Sequence, residues 1–125
     1  MRFLLLMKPM KQRKVRIREN SLVARIAAWR MGYSRVAIVF GHTIHLHNTP
    51  VKAFVCNSTW LLHELKHVEQ YERLGVLAFW WQYVIESIRK GYYNNAFEVE
   101  ARAAESETGL YAKYDLSEYT HLLDD

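Results

Sequence analysis

Hydrophobic positions in this chain fall first into short alternating or β-branched runs and later into helical periods. Residues 11–18 (KQRKVRIR) place Val15 and Ile17 between basic residues, a period of two that predicts a strand with one buried and one solvated face, suited to a sheet edge. Asn20 or Ser21 then caps a helix in which Leu22, Ile26 and Trp29 recur at helical spacing and Gly32 stops the run. Residues 35–40 (RVAIVF) and 43–46 (TIHL), separated by Gly41, predict two neighbouring strands, and Asn48, Thr49 and Pro50 a turn. From Asn57 onward the period changes. Asn57, Ser58 and Thr59 are capping residues before a helix that runs to about Leu74 and ends at Gly75. A further helix covers residues 76–89, and a last one runs from about Asn95 to Gly109. The tail from Leu110 shows no clear period. A short β segment followed by helices predicts an α+β domain.

Composition narrows the class. The 125 residues suit one domain, expected over residues 11–125, and 50% hydrophobic with 14% aromatic content argues against disorder. Seventeen basic against 13 acidic residues give +4, which permits an anionic partner without requiring one. The single cysteine, Cys56, excludes an internal disulfide or a multi-cysteine zinc finger. Residues 1–10 open with MRFLLLM, but Lys8 and Pro9 cut the apolar run short and no small-residue cleavage site follows, so this stretch reads as a loosely ordered leader. The longest other apolar stretch, GVLAFWWQYVI at 75–85, is far below the roughly 20 residues of a membrane span. Trp80 and Trp81 within it read as aromatics of a core helix rather than as membrane-surface anchors. A cytoplasmic protein is the expectation.

The chemistry concentrates in residues 63–67, His-Glu-Leu-Lys-His. Two histidines at i and i+4 lie about 40° apart around a helix, so both imidazoles leave one face a turn apart, as a single tetrahedral zinc requires. Glu64 lies beside the first ligand, placed to take a proton from a zinc-bound water. Leu61, Leu65 and Val68 form an apolar stripe beside the histidines. The longer motif with a third histidine is excluded, because Gln70 and Arg73 stand where it needs Gly and His. A downstream carboxylate is then the third ligand, from Glu86, Glu98, Glu100 or Glu105. Glu86 can instead pair with Arg89 or Lys90, and Glu98 and Glu100 point about 200° apart, so only one of them can face a metal.

HELKHVEQ at 63–70 followed by NAFEVEA at 95–101 resembles the gluzincin metallopeptidases, and is especially similar to small bacterial HELxHVxQ proteins. The resemblance covers about residues 35–108 and implies a small zincin-like domain: a short sheet, an HExxH helix, then further helices. It implies Zn²⁺ held by His63, His67 and Glu98, with Glu64 as general base for peptide-bond hydrolysis. Arg102 stands where the family commonly has an aspartate that supports a ligand histidine; Glu105 is a candidate replacement. The resemblance also implies an edge strand that pairs with extended substrate, here residues 42–47. His45 and His47 on that strand, and Tyr92 and Tyr93 before the last helix, are candidates for substrate or oxyanion contact. The expected partner is a peptide or protein substrate, with no specific nucleic acid and no membrane span. Alternatives are an HExxH protein cleaving one regulatory partner such as a repressor, a non-catalytic zinc-binding module, and a nucleic-acid-associated protein using residues 11–18.

Overall fold

A computed structural model describes residues 12–124; the expected leader, residues 1–10, lies outside them. The fold is a small mixed α+β arrangement. Two short strands, β1 (Arg13–Lys14) and β2 (Arg16–Arg18), precede helix α1 (Leu22–Met31). The hairpin of β3 (Val36–Phe40) and β4 (Thr43–His47) follows, then a short helix α2 (Val51–Val55). Three helices come next: α3 (Ser58–Leu74), α4 (Val76–Lys90) and α5 (Ala96–Ala103). The tail consists of 3₁₀ turns and a two-residue strand, β5 (Tyr114–Asp115).

The basic segment behaves as its alternation predicts: Val15 and Ile17 are buried between exposed Arg13, Lys14, Arg16 and Arg18. It divides between two sheets. β1 pairs in parallel with β5, and β2 pairs in parallel with β4 as the edge of a three-stranded sheet of order β2-β4-β3. β4 is therefore the central strand, and residues 42–47 are not the free edge expected from sequence. That edge belongs to β3, antiparallel to β4 on one side and unpaired on the other among the described residues.

The core forms between one sheet face and α3. Ile44 and Leu46 of β4 and Val39 of β3 join Leu61, Leu62, Leu65 and Val68 of α3, with Phe54, Leu110 and Tyr114 closing the sides. Asn57 caps α3 by accepting the Trp60 N–H at 3.1 Å. Gly75, at φ 84°, ends it in backbone space that favours glycine and turns the chain into α4. α2 has no counterpart in the sequence pattern; Phe54 and Val55 bury one side of its short run.

Three expectations are corrected by packing. α1 lies against the second face of the sheet through Ala24 and Ala28, while Leu22, Ile26 and Trp29 face outward. Small side chains let the helix approach the strands closely, so its bulky stripe takes the far side. α4 has one fully buried anchor, Phe79, set among Tyr71, Tyr83, Phe97 and His67. Trp80 and Trp81 therefore lie outside the core, at 45% and 69% exposure. α5 does not run on to Gly109: the chain tightens into a 3₁₀ turn at Ala104–Ser106, seating Ala104 in the core.

Asn95 joins α4 to α5. Fully buried, it donates to the Tyr83 carbonyl (3.0 Å) and Ser87 Oγ (2.8 Å) and accepts the Phe97 N–H (2.9 Å) as the α5 cap. Removing a cap that also satisfies buried groups costs about 2 kcal/mol or more. Asn95→Ala is accordingly expected to lower the unfolding free energy by that amount, read in a urea titration as a lower midpoint, whereas alanine at exposed Asn94 leaves the midpoint near its original value.

Candidate metal centre

α3 brings His63, Glu64 and His67 to one side, as the helical period requires, and α5 presents Glu98 to them from its first turn. One ligand atom from each of His63, His67 and Glu98 lies within 4.8 Å of the others. His63 Nε2 is 3.0 Å from Glu98 Oε1, and His67 Nε2 is 3.3 Å from Glu98 Oε2. Two ligand atoms on one tetrahedral metal with bonds of about 2.0–2.1 Å stand about 3.3 Å apart, so the spacing fits a shared ion.

The outer nitrogens are held as well. His63 Nδ1 is 2.8 Å from Glu105 Oε2, and His67 Nδ1 is 2.8 Å from Gln70 Oε1. The Gln70 amide orientation follows from its other end: Nε2 donates to the Phe97 carbonyl (3.1 Å) and to Glu100 Oε1 (2.8 Å), both acceptors. Its oxygen must therefore face His67, which then carries its proton on Nδ1. With both Nδ1 atoms donating outward, both Nε2 atoms are left to share a cation in front of Glu98, a proton or a metal ion. Glu105 thus occupies the role that Arg102 leaves open. Arg102 itself donates to the Tyr93 carbonyl at 2.5 Å and stacks over the Tyr93 ring, away from the centre.

Electrostatics follow from this arrangement. Burial opposes charge on His63, but hydrogen bonds to Glu98 and Glu105 and the charge of Glu64 outweigh it and raise its pKa to about 9. His67 is raised for related reasons, against strong burial. Burial would raise Glu98, yet hydrogen bonds from His63 and His67 hold it well below the carboxylate range. Glu64 has no such pair of donors: burial pushes it up to about 7, partly opposed by His67 and His63.

The remaining candidates separate clearly. Glu86 accepts the Ala96 N–H at 3.0 Å and pairs with Lys90, so it closes the α4–α5 turn and takes no part in the cluster. Glu100 binds Gln70 and Arg73 on the other side of α5 from Glu98. His45 and His47 alternate with the core-facing Ile44 and Leu46, on the sheet face that carries α1. There His45 Nδ1 meets Ser21 Oγ at 2.7 Å, so neither histidine is brought to the metal cluster. Tyr92 does line the cleft beside His63 and Glu64; Tyr93 does not. Two contributors escaped the sequence reading. Tyr83 donates to Glu98 Oε2 at 2.5 Å, and its spacing of four from Phe79 on one face of α4 was the available signal. Gln70 orients His67 from three residues further along the same helix, and that spacing was its available signal.

The cluster floors a cleft of about 850 Å³ between β3 and α4, with Val36, Ala37 and Val39 on one wall and Phe79, Trp80 and Val84 on the other. No protein-family model, curated protein or solved structure matches this chain.

Two outcomes are expected. Metal entry displaces protons from imidazoles whose pKa values are raised, His63 to about 9. Below that pH, apparent metal affinity should fall as pH is lowered, by about tenfold per unit for each proton displaced. Competition titration with a metallochromic chelator across pH 6 to 9 reads this. In the same assay Gln70→Ala should weaken metal binding about 10- to 100-fold through loss of the His67 orientation, and Glu98→Ala should weaken it further.

Proposed function

We propose that this chain is a zinc-dependent metallopeptidase of the gluzincin kind with a zincin-like fold. The observation that carries the reading is the convergence of two Nε2 atoms and a buried carboxylate, with Glu64 beside them in an open cleft. Zinc suits two imidazoles and a carboxylate, and in such a site it supplies Lewis acidity, polarising a carbonyl and lowering the pKa of its water to about 7. Three protein ligands are the complement of a catalytic site, whereas a closed structural site takes four.

The chain's own residues perform the remaining tasks. Glu64 accepts the proton of the attacking water and passes it to the leaving amine. Glu105 and Gln70 keep the two imidazoles in one orientation. Tyr83 holds Glu98 in place. Burial, with Glu98 and Glu64 nearby, pushes the Tyr92 phenol up, so it stays protonated and can donate to a developing oxyanion. The edge of β3 that is unpaired among the described residues offers backbone groups to an extended peptide, which main-chain pairing would lay along the cleft.

Glu64→Gln tests the reading. The variant is expected to keep zinc at about one per chain and remain folded, yet lose cleavage of an unstructured protein by about 10²-fold or more. A zinc-loaded wild type whose proteolysis equals that of Glu64→Gln refutes it.

A further inference from the structure

The apolar faces that α1 and α4 leave outside the core have a chemistry of their own. At about 100° per residue, Leu22, Ile26 and Trp29 occupy one arc of about 60° on α1. They are 68%, 56% and 82% exposed, while Ala24 and Ala28 on the opposite side are buried. Folding alone favours the reverse arrangement, large side chains inward and alanines outward, so this helix is shaped for a second apolar surface. Arg25 flanks the stripe on one side and Arg30 on the other, and α1 contains no acidic residue. Neither arginine pairs with a carboxylate among the described residues.

α4 also leaves an apolar face outside the core. Leu77, Trp81 and Ile88, at i, i+4 and i+11, are 85%, 69% and 78% exposed on the side opposite Phe79, and Arg89 lies in its last turn while Lys90 pairs with Glu86. Met31, at the end of α1 on the side of its alanines, and Trp80 and Ile88 of α4 line the same cleft, so the two helices border one mouth.

We propose that the α1 face docks this protein on an anionic lipid bilayer, as a peripheral contact and not a span. An apolar stripe edged by arginines matches the acyl–headgroup boundary: the apolar side chains enter it, indoles favour its depth, and arginine stems reach back to the phosphates. No helix among the described residues is long and apolar enough to cross a membrane, so the contact lies in the surface plane. A second copy of the chain fits less well, because a two-fold contact through α1 would set arginine against arginine with no acid on the helix. The inference uses no part of the metal centre, and its test is independent of peptidase activity.

Full-length protein is mixed with vesicles of phosphatidylcholine and phosphatidylglycerol, or of phosphatidylcholine alone, and followed by co-sedimentation and tryptophan emission. Binding to the mixed vesicles with a blue shift is expected, weaker on neutral vesicles and weakened by salt. Ile26→Ser with Trp29→Ser should lower binding at least about tenfold, as should Arg25→Glu with Arg30→Glu on the anionic vesicles. Thermal unfolding should hardly change in either pair, since all four side chains are exposed. Absence of binding to the mixed vesicles overturns the proposal, as does binding that both double variants retain or equal affinity for neutral vesicles. A concentration-dependent dimer lost in Trp29→Ser, without vesicle binding, would assign the surface to a second copy instead.

Discussion

The Glu98 carboxylate, only 3% exposed, is the constraint from which the rest of the site follows. An ionised carboxylate in that position is tolerable only if cations and donors surround it. It receives His63 and His67 from α3 and the Tyr83 hydroxyl from α4, while its own backbone begins α5. One buried charge thus fixes three helices relative to one another. The same demand makes the centre suited to a metal, because whatever sits between the two Nε2 atoms and the carboxylate must be positive.

Orientation is enforced one layer further out. Gln70 is fully buried and uses both ends of its amide, so it cannot rotate without leaving a donor or an acceptor unsatisfied. Glu105 reaches His63 because the chain tightens at Ala104 instead of extending α5. Asn95 sets where α5 starts, and hence where Glu98 stands in its first turn. Each of these residues acts on the metal cluster through another side chain, and changes in them should appear first in metal affinity and stability.

Local chemistry was legible in the sequence. Spacing alone placed His63 and His67 on one helix face and showed that Glu98 and Glu100 could not both serve; the structure brings Glu98 to the cluster and gives Glu100 to Gln70 and Arg73. Helix ends marked by Gly32, Asn57 and Gly75 were also legible, because caps and positive-φ glycines act within a few residues. Strand order was not. Nothing local to residues 42–47 reveals that β2 pairs on their outer side, which makes β3 the edge that is free among the described residues and leaves His45 facing Ser21. Nor does a helical period say which side of a helix is buried. In α1 the stripe of Leu22, Ile26 and Trp29 was real, but the alanines won the sheet because close approach of backbone to strand outweighed the size of the side chains on offer.

Strand order also decides whether there is a cleft at all. Had the N-terminal strand added to β3, its backbone would fill the edge beside the metal centre. It adds to β4 instead, and the C-terminal tail holds it there: Tyr119 Oη accepts the Ile17 N–H at 2.8 Å, the Val15 N–H donates to the Asp115 carbonyl at 3.2 Å, and β5 pairs with β1. Glu72, near the end of α3, adds a side-chain tie by binding Arg13, His42 and Tyr114 together. The irregular tail, which carries none of the candidate metal ligands, therefore leaves the edge of β3 unpaired among the described residues by occupying the strand that could otherwise close it. Loosening the tail would act on the proposed peptide-binding edge without touching His63, His67 or Glu98, so under the proposed function peptide affinity and metal affinity would be separable.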